Sequence, residues 1–107
     1  MERNGHIIVF VTTRDAVESE KISKALVKRR LAACVNIVPE VSSHYWWKDK
    51  LEATKESLLM VKSREALLPD IIKTVKRLHS YSVPEIIALP VSGGNPDYLD
   101  WIDSEVV

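Results

Sequence analysis

The sequence predicts an α+β domain in which four β-strands and two helices alternate, followed by one further helix. Apolar β-branched runs mark the strands, and apolar residues at helical spacing mark the helices. Glycine and proline are scarce, at 3 and 5 of 107 residues, so most of the chain should be regular structure. The order strand-helix-strand-strand-helix-strand is typical of the ferredoxin-like sandwich, an antiparallel sheet with helices on one face. Right-handed crossovers then predict the sheet order 4-1-3-2 within a single domain over residues 1–107.

Local patterns predict the first three elements. The run IIVFV at residues 7–11 indicates a strand that is buried on both faces. Asp15 and Glu18 form a capping-box pattern, so a helix is expected over residues 16–30. A second strand is expected over residues 33–47, with an interruption at Pro39.

A turn at Lys48-Asp49-Lys50 leads into a third strand over residues 51–62. Pro69 belongs in the first turn of the next helix, because a proline deeper inside a helix would break it. Five apolar residues then share one face of that helix: Leu68, Ile71, Ile72, Val75 and Leu78.

Two further elements complete the chain. Pro84 opens a fourth strand over residues 85–91, which a glycine pair ends. Asn95 is predicted to cap the last helix, with Pro96 at its first position. That helix should end near residue 105, and three of its side chains are available to pack inward: Tyr98, Trp101 and Ile102.

The hairpin of strands two and three is predicted to be unusually long. Residues 33–47 span roughly 50 Å at about 3.3 Å per residue, whereas typical strands have about 5 or 6 residues. The hairpin should therefore project past the helices that cover the sheet, and its tip carries Tyr45, Trp46, Trp47 and Leu51. We expect a partner to bury this aromatic tip. The alternative is a hairpin that bends back at Pro39 over its own domain.

Charge and composition narrow the classes of partner. Fifteen basic residues balance 15 acidic ones, so no overall charge attracts the chain to nucleic acid or to an anionic membrane. One cysteine, Cys34, cannot form an internal disulfide, which favours a reducing compartment. The apolar run at residues 7–11 is too short for a signal-peptide core or a membrane span. The sequence therefore predicts a cytoplasmic protein.

Four stretches of the sequence resemble the signature of the CutA family: LAACVNIVP at residues 31–39, YWWK at 45–48, HSYSVPEI at 79–86 and GNPDYLDW at 94–101. They occur in the family's order, and the resemblance covers nearly the whole chain. It implies a ferredoxin-like domain, a homotrimer built by long hairpins, and an architecture similar to PII signal proteins. It also implies binding of copper(II) or another divalent cation, in metal tolerance without enzymatic activity.

Several positions depart from the family pattern. Glu40 and Asp49 stand where glycine is common, and Asp49 is the milder change because Asp tolerates turn geometry. Ser80 and Ser82 replace a common proline and an acidic residue. Loss of that acidic residue removes one candidate metal ligand.

The candidate metal ligands are spread along the chain: His6, Cys34, His44, His79 and Glu85. Thiolate and imidazole suit copper and zinc, and a carboxylate can complete the shell. No pair has chelating spacing such as C-x-x-C or H-x-x-H. Cys34 opens strand two and His79 precedes strand four, on opposite edges of the predicted sheet, so they can share an ion only across subunits. Each of the two also has a purely structural interpretation. Cys34 suits a buried hydrophobic position, and His79 suits the C-terminal end of a helix.

One end of the predicted sheet gathers polar side chains from different elements. His79 and Glu85 flank the start of strand four, beside Thr12 and Thr13 at the end of strand one, with Tyr81 on the connecting loop. Loop positions of this kind are where binding sites tend to form. His79 and Glu85 are thus the principal predicted metal ligands, although Glu85 also suits a solvated strand end.

Trp46 and Trp47 should point to opposite faces of their strand. One is expected to anchor a subunit interface together with Tyr45, Leu51 and Pro39. The other lines a cleft or stacks on the hairpin. We assign Trp46 to the interface and Trp47 to the cleft.

Three functions remain open at this point. The first is a trimeric metal-binding protein, and the second is a PII-like sensor that binds a small ligand in a cleft between subunits. The third, least favoured, is a hydrolase of the acylphosphatase type. Arg14 follows the first strand as such an enzyme requires, but no glycine-rich anion loop accompanies it.

Overall fold

A computed structural model, which describes residues 5–107, contains four strands and three α-helices. Along the chain they are β1 (His6–Thr13), α1 (Ala16–Lys28), β2 (Cys34–Trp47), β3 (Lys50–Arg64), α2 (Leu68–Leu78), β4 (Ile86–Pro90) and α3 (Pro96–Glu105). The strands form one antiparallel sheet in the order β2-β3-β1-β4, which is the predicted order. The predicted ferredoxin-like α+β fold is confirmed.

The core lies between one face of the sheet and the helices α1 and α2. Residues of β1 are alternately half-buried and buried, and the buried set faces the two helices. Eight core side chains are fully buried: Val9, Val11, Ile22, Leu26, Leu59, Val61, Ile71 and Val75. The prediction that β1 is buried on both faces is wrong, because its other face is only half-buried.

Local chemistry accounts for where the helices begin and end. Asp15 caps α1 by accepting a hydrogen bond from the Glu18 backbone N–H at 2.9 Å. The helix ends at Lys28, earlier than predicted, because Arg30 adopts a left-handed backbone with φ of 59°. Within residues 5–107, no helix is both long and apolar enough to span a membrane.

The last helix begins as predicted but packs differently. The Asn95 side chain accepts from the Asp97 backbone N–H at 3.1 Å, and Pro96 is the first helical residue. Of the three side chains available to pack inward, Ile102 is buried, whereas Tyr98 and Trp101 are only partly covered, each 41% exposed. Their rings lie against each other, with centroids 5.5 Å apart and planes tilted by 33°.

The β2–β3 hairpin extends away from the helices. Its strands have 14 and 15 residues, and they are joined by a two-residue turn. Both turn residues, Lys48 and Asp49, have left-handed backbones with φ of 50° and 65°, as a type I′ hairpin turn requires. The domain measures 43 × 26 × 22 Å, and Trp46 near the tip is 71% exposed.

A β-bulge lies in β2 at the predicted interruption. Val38 pairs with Leu58, but the next pair is Val41 with Glu56, so β2 contains one residue more than β3 between these pairs. One inserted residue moves the following side chains of β2 to the opposite face. Beyond the bulge, Trp47 therefore shares a face with Glu56, and Trp46 lies beside its register partner Leu51 on the other face.

The position of the core predicts a contrast between two apolar residues of α1. Leu26→Ala should lower the free energy of unfolding by about 2–5 kcal/mol, because it leaves a cavity among fully buried side chains. Val17→Ala, at a position 77% exposed, should change it little or raise it slightly, since alanine favours helix. Chemical denaturation of both variants measures the difference, and equal losses would contradict this placement of the core.

Candidate functional site

A cleft of about 670 Å³ opens where the hairpin leaves the domain. Its walls come from Thr12 at the end of β1, residues 42–45 and 47 of β2, Glu56 of β3, and the loop residues 81–83 and 85. The bulge in β2 places Trp47 on the same face as Glu56, and Trp47 lines the cleft while Trp46 does not. The cleft is thus built by three strands and the loop that precedes the fourth.

The side chain of His79 lies behind this cleft and is fully buried. Its Nε2 is 2.7 Å from the backbone oxygen of Thr12, and its Nδ1 accepts from the Tyr81 backbone N–H at 3.0 Å. Because the carbonyl needs a donor and the amide needs an acceptor, the ring is neutral with its proton on Nε2. His79 therefore fastens the loop before β4 to the end of β1.

Glu18 makes a second connection between the loops. Its carboxylate accepts from the Ser80 backbone N–H at 2.7 Å, the Ser80 hydroxyl at 3.1 Å and the Arg14 backbone N–H at 3.2 Å. Burial alone would raise the pKa of the Glu18 carboxyl, but the hydrogen bonds from Ser80 and Arg14 hold that pKa below its ordinary value. The residue predicted only as a helix cap is thus a buried anion that joins two loops.

Tyr81 continues this network to the wall of the cleft. Its ring lies 4.8 Å from that of His79, and its hydroxyl donates to Glu56 Oε2 at 2.8 Å. Burial and the neighbouring Glu56 raise the pKa of Tyr81 above its ordinary value, so the phenol remains a neutral donor. Glu56 is only 8% exposed, although it lines the cleft.

The predicted cleft residues do not all meet. Thr12, Trp47 and Tyr81 line the cleft, and the Thr12 hydroxyl is 3.5 Å from Glu85 Oε1. Thr13 does not line it, because its hydroxyl is buried on the helix side, bonded to the Asp15 carbonyl at 2.8 Å. Tyr45, predicted for the interface, also lines the cleft.

The predicted metal ligands are dispersed in one chain. Glu85 faces the cleft, His79 stands behind it with both ring nitrogens engaged, and Cys34 begins β2 at the far edge of the sheet. His44 lines the cleft, and His6 pairs with Asp103 beneath α3 at 2.9 Å. In the part of the chain that the structure describes, no three His, Cys, Asp or Glu side chains are gathered to hold a metal.

Glu56 is the main residue of the cleft that the sequence did not indicate. It stands in the polar stretch Thr54-Lys55-Glu56-Ser57, which is typical of an exposed strand. The only indication in the sequence that Glu56 is buried is its position just before the apolar run of β3. Its burial depends on the Tyr81 phenol, which lies 25 positions away in sequence.

Comparisons with known proteins agree with this fold. The family model described as CutA1 divalent ion tolerance protein matches residues 7–105. A rice protein named Protein CutA 1, chloroplastic, is 45% identical over 90% of this chain and 54% of its own length. The Divalent-cation tolerance protein CutA of Thermus thermophilus is 46% identical, over 89% of this chain and 92% of its own length.

A solved structure is similar over nearly the full length. The periplasmic divalent cation tolerance protein CutA from Archaeoglobus fulgidus superposes with a TM-score of 0.92 at 39% identity, covering 95% of this chain and 99% of that one. The chain spans about half the length of the rice and mouse relatives that it matches, 54% and 52%.

The Glu18 network predicts how stability depends on pH. Because the folded-state pKa of Glu18 is lowered, its contribution is fully present above the ordinary value of 4.5 and is lost as pH falls below it. Glu18→Gln should cost about 1–3 kcal/mol at neutral pH and reduce the loss of stability on acidification. Glu20→Gln, at an exposed position of the same helix, is the control and should keep the wild-type pH profile. Denaturation between pH 3 and 7 measures both, and identical profiles for Glu18→Gln and wild type would contradict this role.

Proposed function

Because the chain belongs to the CutA1 divalent ion tolerance family, we propose that it is a homotrimeric, non-enzymatic protein that binds divalent cations in metal tolerance. The observation that carries this proposal is the family match, which extends over residues 7–105. Copper(II) is the ion that we propose first, because thiolate and imidazole donors suit it. The hydrolase alternative is least favoured, since Arg14 pairs with Asp15 rather than facing an anion loop.

The hairpin supports the proposed trimer. Trp46 and Leu51 are register partners on one face, 71% and 70% exposed, beyond the cover of the helices. A contiguous apolar surface of this kind is typical of a protein interface. The bulge at Pro39 does not fold the hairpin back over its own domain, which favours cover by a second and third copy.

The trimer is tested by light scattering on the wild type and two variants. We expect a mass near three chains for the wild type and a smaller mass for Leu51→Glu, because a charge would be buried in the interface. Val17→Glu, exposed on α1, should keep the wild-type mass. A folded wild type that remains a single chain at micromolar concentration would contradict the proposal.

We propose Glu85, His79 and Cys34 as the metal ligands. Glu85 is exposed at the cleft, and Cys34 must come from another subunit because it lies at the opposite edge of the sheet. Ligation through His79 Nδ1 would displace the Tyr81 N–H that this atom now accepts. Metal binding is therefore tied to assembly and to movement of the loop before β4.

Calorimetry with Cu(II) and Zn(II) tests this ligand set. Glu85→Gln and Cys34→Ser should each weaken binding by about tenfold or more. Glu20→Gln, on an exposed face of α1, is the control and should bind as the wild type does. Unchanged metal affinity in both ligand variants would indicate that any metal site lies elsewhere in the protein.

The cleft supports a second candidate, a PII-like sensor that binds a small ligand. Its volume of about 670 Å³ is within the range of small-molecule pockets, and one chain already forms its walls.

We place this protein in the cytoplasm because its only cysteine can form no internal disulfide. The rice and Archaeoglobus relatives are named as chloroplastic and periplasmic, so their compartments differ.

A further inference from the structure

The side chains that line the cleft include two carboxylates. These are Glu56 and Glu85, and the described lining also contains one histidine, His44, but neither lysine nor arginine. Glu56 pairs with the neutral Tyr81 hydroxyl, and within residues 5–107 no basic side chain forms an ion pair with it. Lys55, its neighbour in sequence, bonds to Ser42 at the edge of the cleft, at 3.0 Å, and pairs with Glu40 at 3.8 Å. Next to these two carboxylates, the electrostatic potential therefore favours a cationic group over an anionic one.

Three aromatic side chains contribute to the wall of the cleft. Trp47, Tyr45 and Tyr81 all line the cleft. The negative face of an aromatic ring attracts an ammonium or guanidinium group. The Trp47 ring already does so with a group of its own chain, because the Lys48 ammonium lies 6.0 Å from its centroid.

The size of the cleft separates an organic cation from a metal ion. A single metal ion needs several donors converging within about 2–2.6 Å, and the described residues gather no such set. A volume of about 670 Å³ suits a molecule of several heavy atoms.

We propose that this cleft binds a small organic cation, an alkylammonium or guanidinium compound, held by Glu56 and Glu85 and stacked on Trp47. Tyr81 is the positioning residue, because its hydroxyl bond to Oε2 fixes the Glu56 carboxylate at the cleft wall. The proposal rests on the second candidate function, the small-ligand sensor, and shares only Glu85 with the proposed metal ligands.

Three probes of equal chain length test the charge preference by thermal shift and calorimetry: 1,4-diaminobutane, 1,4-butanediol and succinate. We expect the diamine alone to raise the melting temperature and to release binding heat. Glu56→Gln, Glu85→Gln and Trp47→Leu should each weaken diamine binding by about tenfold or more. The matched controls are Glu20→Gln on α1 and Trp101→Leu on α3, which lie outside the cleft and should bind as the wild type does.

Each outcome decides the proposal. Binding of succinate or the diol in place of the diamine overturns the cationic class while leaving a small-ligand sensor in place. Absence of diamine binding beside intact Cu(II) binding overturns the inference and leaves the metal proposal standing. Diamine affinity that is equal in the wild type and the three cleft variants overturns the site. Glu85 is exposed, so Glu85→Gln tests the cleft even where Glu56→Gln unfolds the protein, as circular dichroism would detect.

Discussion

A single neutral imidazole joins the parts of the chain that form the cleft. His79 donates to the Thr12 carbonyl and accepts from the Tyr81 amide, and a histidine ring can do both only while it is uncharged. The placement of the Tyr81 phenol depends on this bond, and the Glu56 carboxylate is held in turn by that phenol. The side chain of His79, which has no contact with solvent, thus determines where a carboxylate lies in the cleft. Glu18 reinforces the arrangement from the start of α1 through its bonds to Ser80.

The hairpin adds a second constraint, which concerns the face of the strand on which each side chain lies. One inserted residue at the bulge determines whether Trp46 or Trp47 faces the cleft. Pro39 indicates from the sequence that the ladder is interrupted, but it does not tell how many residues are inserted. Trp47 lines the cleft and Trp46 does not, a choice that the alternation of a strand alone leaves open. The rule that alternate residues of a strand share one face holds only up to the first bulge.

The features that the sequence predicted are those that depend on near neighbours. The order of elements, the length of the hairpin and the Asn95 cap follow from patterns within a few residues. The roles of Glu18 and Glu56 were not predictable in this way, because their partners lie 62 and 25 positions away. The exposure of Trp101 was missed for another reason. An apolar stripe marks one side of a helix, but it does not tell how much of that side the sheet will cover.

The turn at the end of the hairpin places two non-glycine residues in left-handed backbone conformations, Lys48 and Asp49. A side chain makes that conformation less favourable by about 1 kcal/mol or more at Lys48, whereas Asp tolerates it better. The cross-strand hydrogen bonds next to the turn must offset this unfavourable backbone energy. The β2–β3 ladder is therefore weakest at the end nearest the turn. Fraying therefore starts at the turn and proceeds toward the bulge, and amide protons there exchange with solvent sooner than those near the core.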